Sequence, residues 1–268
     1  MKLHFYKYQG AGNDFIIIDE RDTFPISSHD KMNELVEFLC DRRFGIGADG
    51  LILLQNHSGY DFRMVYFNSD GQEGTMCGNG GRCLVAFAAF KNIIEKHANF
   101  LAIDGSHKAR IVSSENHDSI VSLEMRDVTE ITPFEEGYLL DTGSPHYVVF
   151  KNEIQDIDLH TLGRTWRNKE EFGKGGVNFN IARKENNHIF VRTYERGVEE
   201  ETLACGTGIT ATAIALHYME NHTGNQRFEL KAKGGDMQVS FHNPQPGVYT
   251  HVYLQGPAQQ VFEGVIEI

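Results

Sequence analysis

Two four-residue runs carry the reactive chemistry of this chain: Cys77-Gly78-Asn79-Gly80 and Cys205-Gly206-Thr207-Gly208. Each leads into an Ala-rich stretch with helical apolar spacing, so each cysteine is expected immediately before the first turn of a helix. There the unpaired backbone N–H groups and the positive end of the helix dipole favour an anion, whether a thiolate on the cysteine or a carboxylate on a bound molecule. The glycines let a ligand reach those N–H groups. A free thiol is only a few per cent ionised at pH 7, and a helix N-terminus lowers its pKa. Two such thiols on opposite sides of one carbon can invert it: one removes a proton from one face while the other supplies a proton to the opposite face. The plain alternative is a glycine-rich helix start with an incidental cysteine, and its occurrence twice in equivalent settings speaks against that.

The elements around the two runs repeat. Phe62 to Gly80 and Phe190 to Gly208 align without gaps at an offset of 128 residues, with identities at Phe62/Phe190, Tyr66/Tyr194, Glu73/Glu201, Cys77/Cys205, Gly78/Gly206 and Gly80/Gly208. Each reads as strand, acidic loop, Cys-Gly-x-Gly, helix, which points to duplication. Residues 1–126 with 257–268 would form one half and 127–256 the other, with the thiols facing each other across the cleft between them. Helical spacing covers Lys31 to Arg42, Arg82 to Lys96 and Gly208 to Asn221, and more weakly Asp156 to Arg164. Ten strand-like runs, among them Phe15 to Asp19, Phe62 to Tyr66, Tyr147 to Phe150 and Ile189 to Tyr194, outnumber them, so the expected class is α+β.

Composition narrows the setting. The 268 residues are 40% apolar and 23% charged, an ordinary globular mixture. The formal charge of −12, with no basic run, argues against nucleic acid or an anionic membrane as partner. No apolar stretch approaches a membrane span, and Met1 to Phe5 runs into Lys7 and Gln9 without a signal-peptide core, so the expected address is the cytoplasm. Four cysteines, Cys40, Cys77, Cys83 and Cys205, include no C-x-x-C pair and no zinc spacing; neither a disulfide framework nor a metal is expected. Six positions separate Cys77 from Cys83, about 600° of helix, so Cys83 is expected in the core.

The sequence resembles the diaminopimelate epimerase family over essentially its whole length. The motifs that carry the resemblance are Gln9-Gly10-Ala11-Gly12-Asn13-Asp14-Phe15, Arg43 to Gly50, Asn68-Ser69-Asp70-Gly71 through Gly80, Gly143-Ser144-Pro145-His146, Val177-Asn178-Phe179, and Tyr194-Glu195-Arg196-Gly197 through Gly208. The resemblance implies two pseudosymmetric halves, each a β-barrel-like sheet wrapped around a central helix. It also implies epimerisation of LL-diaminopimelate to the meso form, in lysine and peptidoglycan precursor synthesis, without pyridoxal phosphate, metal or any other cofactor. On that basis Cys77 and Cys205 are the acid–base pair, and His146 assists the first thiol. Gly78, Asn79, Gly206 and Thr207 hold the α-carboxylate, Asn13, Asn68, Asn178 and Arg196 meet the other polar ends of the substrate, and Glu195 shares its amino group. A homodimer through the C-terminal strand near Phe262 is implied too.

Two positions depart from the family pattern: Ser144 stands where Asn is common and Gly50 where Gln is frequent, so distal substrate contacts there differ. A two-cysteine racemase of the proline or hydroxyproline type is the nearest alternative, against which stand Asn79 and the Tyr194 to Gly197 motif. A thiol redox protein or a non-catalytic ligand-binding relative is the alternative of another class. The first would need a C-x-x-C pair, and the second has no use for both thiols.

Overall fold

The computed structural model describes residues 2–21 and 29–268, which divide into two units, Met1–Leu123 with Gly256–Ile268 and Glu124–Gln255. Each unit is a sheet wound around one apolar helix.

In the first unit the strands are β1 (Lys2–Gly10), β2 (Asn13–Asp19), β3 (Gly50–Gln55), β4 (Phe62–Asn68), β5 (His97–Ala102), β6 (Gly105–Glu115) and β7 (Asp118–Glu124), with the part of β16 (Val248–Glu267) that follows Gln255. They neighbour one another in that order, and β16 returns to pair with β1, so eight strands close into a barrel. Helix α1 (His29–Cys40) joins β2 to its parallel neighbour β3, and α2 (Gly78–Phe90) joins β4 to its parallel neighbour β5. Parallel neighbours need such crossovers. Helix α2 is buried from Asn79 through Ala88 and packs on β1, β2, β3, β4 and β6. An all-round apolar helix is stable only when enclosed in this way.

The second unit follows the same path. Strands β8 (Ile131–Phe134), β9 (Gly137–Asp141), β10 (Pro145–Phe150), β11 (Asn178–Glu185), β12 (His188–Glu195), β14 (Gly224–Ala232), β15 (Gly235–Gln245) and the start of β16 run in that spatial order, while β13 (Glu200–Thr202) pairs with β12. Helix α3 (Leu159–Arg167) lies between the parallel pair β10 and β11, and α4 (Gly206–Glu220) between the parallel pair β12 and β14. Both units thus run strand, helix, parallel strand, antiparallel strand, helix, parallel strand. Residues Gly208 through His217 of α4 are buried throughout.

The helix bounds differ from the sequence expectation by one to four residues, and by six at the end of α2. Helix α2 stops at Phe90 rather than Lys96, because Asn92 takes a left-handed φ of 56° while the N–H groups of Lys91 and Ile93 close back onto Phe87 and Ala88. Asn tolerates that conformation and ends helices there.

Candidate active site

Both cysteines occupy the N-cap position of the apolar helix of their own unit, Cys77 (φ −91°, ψ 122°) before α2 and Cys205 (φ −108°, ψ 110°) before α4. The extended cap conformation leaves the first-turn N–H groups, Gly78 and Asn79 or Gly206 and Thr207, without an intrahelical partner at a buried to half-buried helix start. Each thiol has a distinct polar neighbourhood.

In the first unit the Cys77 thiol donates to Asn13 Oδ1 (3.6 Å), which also accepts from Asn79 Nδ2 (3.3 Å). The Asn13 amide is held in that sense at its other end, where Nδ2 donates to Asp49 Oδ2 (2.6 Å). Asn79 is held in the same way: its Oδ1 accepts from the fully buried Arg82 guanidinium (2.8 Å), which also donates to the carbonyls of Gly78 (3.3 Å) and Pro257 (3.4 Å). Burial lowers the Arg82 pKa, and those three oxygens are what offset its desolvation. Asp49 belongs to a charge network. Arg42 bridges Asp14 (2.7 Å) and Asp49 (2.7 Å), and Lys7, 6% exposed, meets Asp14 (2.6 Å) and the Gly47 carbonyl. Burial would raise the Asp14 carboxyl, but the hydrogen bonds from Arg42 and Lys7 outweigh it and hold the group well below the usual carboxylate range.

Asn68 ends β4 with its side chain exposed, opposite Gly50. A Cβ on Gly50 would stand 2.6 Å from Tyr66 Cε2 and 2.6 Å from the Phe67 carbonyl oxygen. The glycine at this unusual position is thus matched to the tyrosine ring beside it.

In the second unit His146 is fully buried between Asn180 (Nδ1 to Oδ1, 2.8 Å) and the Thr207 hydroxyl (Nε2 to Oγ1, 2.9 Å), and Thr207 Oγ1 lies 3.4 Å from Cys205 Sγ. Desolvation pushes the imidazole down to about 4, so it is neutral at pH 7. Parallel pairing puts His146 opposite Asn178, whose amide donates to Ser144 Oγ (2.7 Å) and to the Pro145 carbonyl (3.2 Å) and accepts from the backbone N–H of Arg196 (2.8 Å). Ser144, where the resemblance led to an expectation of Asn, accepts a hydrogen bond from Asn178. Glu195 ends β12, opposite Glu200 in β13, and the Arg196 side chain is exposed at the turn that follows.

Within its own unit His146 is joined to Cys205 through the Thr207 hydroxyl. The structure brings Asn13, Gly78 and Asn79 together with Cys77, and His146, Asn178, Gly206 and Thr207 together with Cys205. Asn68, Glu195 and the Arg196 side chain stand at strand ends. Cys40 and Cys83 lie in the core, burial pushing each thiol up to about 12. Missed by the sequence reading were Asn180 and Thr193, which face the site from β11 and β12, and Lys7, Asp14, Arg42, Asp49 and Arg82. A usable signal existed for Asn180: two positions beyond Asn178 in a strand lies the same face. Among the described residues no group of three or more His, Cys, Asp or Glu side chains could hold a metal ion. No described helix is long and apolar enough to cross a membrane.

Comparison with known proteins gives one consistent result. The family model described as diaminopimelate epimerase matches residues 5–129 and 138–261. A diaminopimelate epimerase of Flavobacterium psychrophilum is 49% identical, the match covering 99% of this chain and 100% of the relative. One from Hydrogenobaculum sp. is 38% identical, with 97% of each covered. Among solved structures, a phenazine biosynthesis protein of the PhzF family from Bacillus anthracis superposes with a TM-score of 0.76 at 13% identity over 100% of both chains. A probable proline racemase from Agrobacterium radiobacter superposes at 0.70 and 14% identity, over 99% of this chain and 92% of the other. At such identities these two establish the shared fold.

Proposed function

The chain belongs to the diaminopimelate epimerase family, and from that membership we infer an isomerase that interconverts LL- and meso-diaminopimelate by inverting one α-carbon. Its product would feed lysine and peptidoglycan precursor synthesis. The observation that carries the mechanism is the pair of cysteine N-caps, one before the apolar helix of each unit. Cys77 and Cys205 are the two acid–base groups: one takes the α-proton, the other returns a proton to the opposite face, and no pyridoxal phosphate or metal takes part.

An α-proton beside a carboxylate is very weakly acidic. The helix starts at Gly78-Asn79 and Gly206-Thr207 would receive the α-carboxylate and stabilise the charge that develops on it, as an oxyanion hole does. Asn13, Asn68, Asn178 and Arg196 bind the remaining polar ends, the Arg196 guanidinium suiting the distal carboxylate bidentately, and Glu195 takes a share of the amino group. We assign the cytoplasm as address and a homodimer as assembly. Val261, Phe262 and Val265 are exposed on the C-terminal part of β16 beside β1, a surface suited to a second copy of the chain.

The purified protein incubated in D2O with LL-diaminopimelate should yield the meso isomer with deuterium at a single α-carbon, and should leave proline and hydroxyproline unexchanged. Exchange into proline or hydroxyproline, with diaminopimelate untouched, would replace this reading by the alternative racemase.

A further inference from the structure

The Cys205 thiol communicates with a buried imidazole through one hydroxyl, and the surrounding hydrogen bonds fix which way that hydroxyl points. The backbone N–H of Arg196 donates to one end of the Asn178 amide, which must therefore be its oxygen. The other end is then NH2, and it stands 3.4 Å from His146 Nε2, so Nε2 presents a lone pair. The neutral ring carries its proton on Nδ1, where Asn180 Oδ1 accepts it, and Asn180 Nδ2 donates in turn to Thr193 Oγ1 (2.9 Å). With Nε2 an acceptor, the single hydroxyl proton of Thr207 points at the imidazole (2.9 Å), and the lone pairs of Thr207 Oγ1 receive the Cys205 S–H (3.4 Å).

We propose that Thr207 is a positioning residue whose hydroxyl turns between His146 Nε2 and Cys205 Sγ as the thiol loses and regains its proton. While Cys205 is a thiol, S–H donates to Oγ1 and O–H donates to Nε2. Once the sulfur has given its proton to the α-carbon, the hydroxyl rotates and donates to the thiolate. When the sulfur takes a proton from the α-carbon, the hydroxyl returns to Nε2. The proton moves only between sulfur and carbon, and the O–H bond of Thr207 never breaks. His146 Nε2 thus holds the hydroxyl while Cys205 is a thiol. The charged groups acting on the ring are Asp141 and Arg196, which oppose each other. Gly208 guards the arrangement, since a Cβ there would overlap Asn180 Nδ2.

The proposal rests on Cys205 being an acid–base group, yet its test needs no substrate and so fails or succeeds separately from the epimerase reading. Iodoacetamide alkylation of the full chain is followed at Cys205 by peptide mass spectrometry between pH 6 and 9, for the wild type, Thr207→Val and Thr207→Ser. A hydrogen bond to a charged group corresponds to about 10- to 100-fold. Thr207→Val, which keeps the shape and removes the donor, should slow Cys205 alkylation at pH 7 by about that factor and move its pH profile upward. Thr207→Ser should retain the wild-type profile. If Thr207→Val does not fold, Thr207→Ala takes its place in the comparison. A donor-free variant that superposes on the wild type, or a serine variant displaced as far as it is, overturns the proposal.

Discussion

Acid should destabilise the second unit through His146, in a pH window that carboxylates do not share. The folded protein keeps this imidazole neutral down to about 4, whereas an unfolded chain protonates it near 6.5. Between those values the unfolded state binds the extra proton, so stability present at neutral pH is lost as pH falls. At 1.36 kcal/mol per pH unit, the loss between pH 7 and pH 4 is about 3 kcal/mol. His217, also lowered by burial, adds a slope of the same sign, so the comparison must be made against a variant that lacks only His146. Carboxylates such as Asp14 and Asp19, held low by their cationic partners, act chiefly below about pH 4. Urea unfolding of the wild type and His146→Gln at pH 7, 6, 5 and 4 provides the test. The variant should be the less stable at pH 7, and the gap should shrink by about 3 kcal/mol by pH 4. A gap that stays constant across the series would refute the assignment of a neutral, buried His146.

Gly208→Ala should destabilise by about 1–3 kcal/mol in urea unfolding, because the added Cβ overlaps an Asn180 amide locked on both sides. Helix propensity alone favours Ala over Gly by about 1 kcal/mol, so a stabilised variant would show that this amide yields. Asp14→Ala strands the nearly buried Lys7 and should cost about 3 kcal/mol by the same method. A loss below about 0.5 kcal/mol would show that the Gly47 carbonyl alone satisfies that ammonium.

Much of the fold was legible in the sequence because both periodicities are strong where burial is one-sided or complete. The runs Phe15 to Asp19 and Ile189 to Tyr194 lie inside β2 and β12, and the all-apolar stretches after the cysteines are the two enclosed helices. The unseen strands are β1, β5, β8, β9, β11 and β13, and three of them are hidden by composition or length. β1 carries Lys7 inward to a buried ion pair, β8 holds Pro133, and β13 is three residues long. The start of α2 was obscured by Gly78, Gly80 and Gly81, which disfavour a helix on propensity alone, although a Cβ on Gly80 would press on Ile52 and one on Gly81 on Met76. In the site, the cysteines were recognisable from a local pattern. Their supports were not, since the Asn13 to Asp49 bond spans 36 positions and the His146 to Thr207 bond spans 61. Such partners are chosen by strand order, which no local spacing encodes.

The two thiols themselves provide the most direct test. Cys77→Ser and Cys205→Ser, each shown to be folded, should epimerise LL-diaminopimelate at least about 100-fold more slowly than the wild type, since each removes one of the two acid–base groups. Near-normal turnover by either serine variant would contradict two-cysteine inversion.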